Sequence, residues 1–113
     1  MHELSIAISL LDVAYDEAVR RGVTVLAIHL RLGPLAGVVK EALVNAYDIA
    51  RAESPLAEAR LVIEEIPIRG RCAVCQREQP AVAVHDLRCA ACGTPMPDIV
   101  SGRELEVFAL ETP

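Results

Sequence analysis

Apolar positions recur at three- and four-residue intervals between Glu3 and Arg21, at Leu4, Ala7, Ile8, Leu11, Ala14, Tyr15 and Ala18, with Asp12, Asp16, Glu17 and Arg20 elsewhere. Such a stripe predicts an amphipathic helix. Arg20-Arg21 followed by Gly22 suits its end, because cations favour the last turn and glycine accepts the left-handed conformation just beyond it. From Val23 the pattern changes to alternation, with Leu26, Ile28, Leu30 and Leu32 on one face and Val25, Ala27, His29 and Arg31 on the other. This predicts a strand over 23–32 whose second face is partly exposed. After Gly33-Pro34 and Gly37 the helical spacing returns at Val39, Leu43, Ala46, Tyr47 and Ala50, predicting a second helix that ends near Glu53, before Ser54-Pro55. Residues 59–68 read as a second strand, irregular or at an edge because of Glu64-Glu65 and Pro67. Residues 104–110 read as a third, with Leu105, Val107 and Ala109 alternating with Glu104, Glu106 and Phe108.

The predicted order is helix, strand, helix, strand, cysteine segment, strand. Because strands adjoin both ends of the cysteine segment, the simplest arrangement pairs 60–68 with 103–110 and extrudes 70–97 from the sheet. The expected fold class is α+β: a small three-stranded sheet packed on two helices, with an inserted zinc-ribbon-like domain made of two Cys-x-x-Cys knuckles. The expected limits are 1–68 and 99–113 for the α/β domain and 69–98 for the zinc-binding domain.

The chain's four cysteines stand as Cys72-Ala73-Val74-Cys75 and, thirteen residues later, Cys89-Ala90-Ala91-Cys92-Gly93. Two residues between cysteines let both sulfurs of a tight turn face one point, and two such knuckles complete a tetrahedron. Zn(II) accepts four soft thiolates at ~2.3 Å without redox chemistry, and its binding can fold a segment too small and polar to fold alone. A structural zinc ion on Cys72, Cys75, Cys89 and Cys92 is therefore expected. Four-thiolate iron is chemically feasible but lacks the aromatic cover expected of an electron-transfer centre. A thioredoxin-type pair would stand alone at the start of a helix, whereas here two equivalent pairs face each other.

Composition narrows the class further. Of the 113 residues, 53% are hydrophobic and only 3% aromatic, so any core must be close-packed Val, Ile, Leu and Ala, and the length suits one ordinary domain with a small appendage. Charges interrupt every apolar stretch well short of the ~18–20 residues that a bilayer span needs, so no membrane segment is expected. Met1-His2-Glu3 does not open like a secretion signal, which predicts a cytoplasmic protein and disfavours disulfides. The net charge is −5, yet residues 69–103 carry five arginines against three carboxylates. Four thiolates on one divalent zinc would add about −2 there, cancelling that surplus and leaving no basic face to attract nucleic acid.

His2 has a bland reading, a solvated terminal residue, and a sharper one. The amine of Met1, the amide nitrogen of His2 and its imidazole can close fused chelate rings around one ion, and planar nitrogen donors favour Ni(II) or Cu(II). Protons compete for those nitrogens, so affinity should fall steeply in acid. Glu3 could add a backbone nitrogen. His29, in the middle of a strand, and His85, between the knuckles, are not assigned as ligands.

With these residues in view, the chain resembles the HypA/HybF nickel metallochaperones of hydrogenase maturation. The resemblance is carried by Met1-His2-Glu3-Leu4-Ser5 opening a helix, Leu30-Arg31-Leu32-Gly33 ending a strand and Glu64-Glu65 leading to Cys72-x-x-Cys75. It is completed by Cys89-x-x-Cys92-Gly93 leading to Ile99-Val100-x-Gly102-x-Glu104-Leu105, and it covers essentially the whole chain. It implies a nickel-binding α/β domain with a structural Zn(II) domain, carrying Ni(II) as transient cargo to the hydrogenase large-subunit precursor with a HypB-type GTPase as partner. The essential nickel ligand of the family maps onto His2, with Met1 and Glu3 beside it, and the zinc ligands map onto the four cysteines. Many members have proline directly after the first cysteine of a knuckle, where this chain has Ala73 and Ala90, a departure that removes no ligand. The resemblance does not separate a hydrogenase recipient from a urease one, and a homodimer is compatible with it.

Two other classes fit the residues less well. A zinc-ribbon nucleic-acid or protein interaction module should show a basic surface and aromatic stacking residues, yet Tyr15, Tyr47 and Phe108 all fall outside the zinc segment. A zinc enzyme needs an open coordination position, which four cysteine ligands close, so no catalytic residues are assigned.

Overall fold

The computed structural model describes residues 2–113. The described residues divide into two compact units: the first comprises residues 2–31, 37–64 and 106–113, and the second residues 32–36 and 65–105.

In the first unit, helix α1 (Glu3–Arg21) ends at Gly22, whose φ of 64° is left-handed. Its buried stripe is Ala7, Leu10, Leu11, Ala14 and Ala18, whereas Leu4, Ile8 and Tyr15 are exposed. The stripe is thus rotated from the one expected, toward the small alanines that allow close approach to helix α2 (Lys40–Ala52), which buries Leu43, Ala46 and Tyr47. Both helices pack on a three-stranded sheet of β1 (Ala27–Leu32), β2 (Arg60–Glu65) and β7 (Leu105–Glu111). Ile28 and Leu30 reach the centre of this core, and Leu61, Ile63, Val107 and Leu110 cover its margins. Tyr47, almost fully buried, donates its hydroxyl to the Ala59 carbonyl at 2.9 Å.

The strand order is β2-β1-β7, so the expected pairing of 60–68 with 103–110 is corrected: β1 lies between them. The reason is apolar content. Ala27, Ile28, Leu30 and Leu32 are all buried, while every position of β2 and β7 retains some exposure, and the most apolar strand takes the interior place. The strand also starts at Ala27 rather than Val23, since the Val23 amide still bonds to the Ala18 carbonyl beyond the helix end.

The second unit contains a short 3-10 turn (Pro34–Ala36) and strands β3 (Arg69–Cys72), β4 (Arg77–Ala83), β5 (Asp86–Cys89) and β6 (Ile99–Ser101). They form a four-stranded sheet in the order β5-β4-β3-β6. Its only cluster of buried side chains is Cys72, Cys89 and Met96, with Cys75 and Ala81 against them. A unit with so small an apolar core needs another source of stability, and metal ligation is the usual one.

Candidate metal centre

Each knuckle is a hairpin corner that directs two sulfurs inward. Cys72 closes β3 and Cys89 closes β5, both buried, while Cys75 is half-buried and Cys92 exposed. The Gln76 amide donates to the Cys72 carbonyl at 2.8 Å, and the Gly93 amide donates to the Cys89 carbonyl at the same distance. Both donors need a left-handed backbone, with φ 56° at Gln76 and 78° at Gly93. Glycine was legible as the residue for such a turn; Gln76 was not, because a side chain there disfavours the conformation that the first knuckle nonetheless adopts. The Cys75 amide also lies 3.4 Å from the Cys72 sulfur, a donor aimed at the thiolate.

The four sulfurs lie within 4.8 Å of one another. Cys72 and Cys92 are 3.5 Å apart and Cys75 and Cys89 3.9 Å, far beyond a disulfide bond, so the thiols are free. A tetrahedron with ~2.3 Å metal–sulfur bonds has edges of roughly 3.8 Å, so the arrangement fits one metal ion bound by all four thiolates. The protonation of the cluster is uneven. Hydrogen bonding to the neighbouring sulfurs of Cys72 and Cys92, with partial desolvation behind it, favours the protonated form of Cys75 and pushes it up to about 12. The Thr94 hydroxyl, 3.1 Å from the Cys92 sulfur, stabilises that thiolate and brings it down to about 6. A bound cation would favour the thiolate at Cys75. Among the described residues no other group of three or more histidines, cysteines and carboxylates gathers in this way.

At the other candidate site, Met1 lies outside the described residues. His2 is the N-cap of α1, exposed, with a non-helical backbone (φ −86°, ψ 79°) and no capping hydrogen bond from its side chain. The carbonyl of His2 accepts from the Ile6 amide at 3.1 Å, the first bond of the helix. Glu3 turns its carboxylate to the Val39 amide, 3.4 Å away, which bridges α1 to the start of α2. His29 is engaged on the polar face of the sheet, 3.2 Å from a Glu111 carboxylate oxygen and edge-on to Phe108, and His85 is exposed in the β4–β5 turn.

Residues 1–112 match the family model described as HypA: hydrogenase/urease nickel incorporation, metallochaperone. The chain belongs to the HypA family. It is 47% identical over 114 residues to the hydrogenase maturation factor HypA of Chloroflexus aurantiacus, with all of both chains covered. It is 40% identical to the HypA of Geobacter metallireducens, with 98% of each chain covered. The solution structure of the Ni metallochaperone HypA from Helicobacter pylori superimposes with a TM-score of 0.66, covering 99% of this chain and 97% of that one at 24% identity, which supports the α+β fold. Membership of the HypA family makes the chain a hydrogenase maturation factor rather than an enzyme. No helix of the described residues is long and apolar enough to cross a membrane.

Proposed function

We propose that this chain binds Ni(II) at its amino terminus and delivers it during [NiFe]-hydrogenase maturation, while Cys72, Cys75, Cys89 and Cys92 hold a structural Zn(II). The observation that carries the nickel reading is the placement of His2. An exposed imidazole with no capping role stands at the first turn of a helix, where the amides of His2 and Glu3 have no carbonyl four residues behind them to bond. Helix formation therefore does not compete with a metal for those nitrogens. Because the Glu3 carboxylate is engaged with Val39, the contribution of Glu3 is its backbone nitrogen. With the amine of Met1, the set is nitrogen-rich and suits square-planar Ni(II). A terminus open to solvent also suits a cargo ion that must leave again.

Zinc is the resident metal of the cysteine centre because four thiolates close its coordination sphere, leaving no position for substrate. The recipient is the hydrogenase large-subunit precursor and the assisting partner a HypB-type GTPase, and the setting is the cytoplasm. The family description, hydrogenase/urease nickel incorporation, supports this assignment. A nucleic-acid role is disfavoured, since no Phe, Tyr or Trp lies in residues 65–105.

Calorimetric titration of Ni(II) into untagged protein that begins with a free Met1 amine tests the reading. His2→Ala should weaken nickel binding by at least about a hundredfold, as expected when a ligand itself rather than a group hydrogen-bonded to one is lost, with zinc content unchanged. Equal affinity in the variant would overturn it.

A further inference from the structure

From Glu78 onward β4 alternates: Glu78, Pro80 and Val82 are exposed, while Gln79, Ala81 and Ala83 are not. Gln79 is only 8% exposed, the single buried polar residue among those described. Its Nε2 is buried and has no hydrogen-bond partner. Burial of an amide that can donate two hydrogen bonds, with neither made, is a cost that a fold retains for a reason.

The strand pairing shows where that amide is directed. Gln79 sits opposite Gly70, which places it on the face of β3 that carries Cys72 two residues further on. The next inward residue, Ala81, sits opposite Cys89 on β5. Gln79 is therefore flanked by the first cysteine of each knuckle. Two of the four sulfurs have polar neighbours of their own: the Cys75 amide at Cys72 and the Thr94 hydroxyl at Cys92.

We propose that Gln79 is a positioning residue of the four-cysteine centre, its side-chain amide donating an N–H···S hydrogen bond to a thiolate of the cluster once a metal is bound. The inference rests on the reading of the four cysteines as a tetrathiolate metal site. The site with a divalent ion carries two net negative charges on a half-buried cluster, and a fixed donor disperses one of them. The hydrogen bond draws electron density from sulfur and fixes the rotamer of the cysteine that accepts it.

The full-length chain substituted with cadmium and labelled with nitrogen-15 gives the direct readout: a scalar coupling between the cadmium nucleus and a Gln79 side-chain amide proton, transmitted through N–H···S. Gln79→Met keeps the length of the side chain and removes the donor. It should abolish the coupling, move the sulfur-to-cobalt charge-transfer band of the Co(II)-substituted protein to longer wavelength, and weaken retention of the metal against a chelator about tenfold, the lower end for losing a group hydrogen-bonded to a ligand. A wild-type tetrathiolate spectrum without that coupling overturns the role of Gln79 alone, whether or not the variant folds. Failure of the wild-type chain to give a tetrahedral four-sulfur cobalt spectrum overturns the tetrathiolate reading and this inference with it.

Discussion

The backbone of Gly33 runs so close to that of Gly102 that a Cβ on Gly33 would lie 2.2 Å from both the carbonyl carbon and the carbonyl oxygen of Gly102. The contact is fastened on either side, by the Gly33 amide donating to the Glu104 carbonyl at 2.8 Å and the Leu35 amide donating to the Gly102 carbonyl at 2.7 Å. Gly102 is itself constrained, with φ 116° and Ile68 against its α-carbon. Two of the glycines in the motifs that resemble the family thus meet at one backbone crossing in the second unit.

Since the atoms that a methyl group would strike are backbone, they cannot rotate away. Gly33→Ala should therefore destabilise the second unit by about 3 kcal/mol, the upper part of the usual range for overpacking. Hydrogen exchange of β3 and β4 amides in the metal-bound protein would report it as faster exchange at those positions. Unchanged protection would mean that the chain accommodates the methyl by a backbone shift.

Much of this architecture was legible because its signals are local. The nineteen-residue helix α1 repeats its apolar positions for five turns, and its predicted limits coincide with Glu3–Arg21. The knuckle spacing encodes its own geometry, and the four cysteines do converge. What escaped depends on contacts between distant segments. Which strand takes the centre is decided by relative burial, so β1 could not be placed between β2 and β7 from alternation alone. The face of α1 was misjudged by a rotation because Leu4, Ile8 and Tyr15 are as apolar as Leu10, and only the approach of α2 selects among them. Gln79 reads as a surface residue in any strand pattern, and nothing in its neighbours announces that it is buried.

The division of the chain into two units has a consequence for the cysteines. Cys75→Ser removes one ligand of four, and because losing a group that merely hydrogen-bonds to a ligand costs about 10–100-fold in metal affinity, loss of a ligand should exceed that. With its small cluster of Cys72, Cys89 and Met96 deprived of the ion, the second unit should lose order across 70–97. The helical signal should persist, since both helices belong to the first unit. Metal analysis together with far-ultraviolet circular dichroism separates these outcomes; collapse of the helical signal would show that the first unit depends on the metal.

Tyr47 offers a test of the first unit that is independent of any metal. Its hydroxyl donates to the Ala59 carbonyl at 2.9 Å, and the same carbonyl accepts from Arg51 Nη1 at 3.1 Å, so Tyr47→Phe leaves the acceptor satisfied and removes one donor. The expected cost near neutral pH is about 1 kcal/mol. Burial holds the Tyr47 hydroxyl above its ordinary pKa, opposed by the nearby Arg51 guanidinium. A group whose folded pKa is raised binds its proton more tightly in the folded state, so its contribution is complete below the unfolded value of about 10 and declines as pH rises through that value toward the folded one. The advantage of the wild-type chain over Tyr47→Phe should therefore be constant from neutral pH to about 9 and shrink by about pH 11, where phenylalanine has no proton to lose. Urea midpoints of the helical signal across that range measure it, and a gap that stays constant to pH 11 would mean that burial does not hold the phenol protonated.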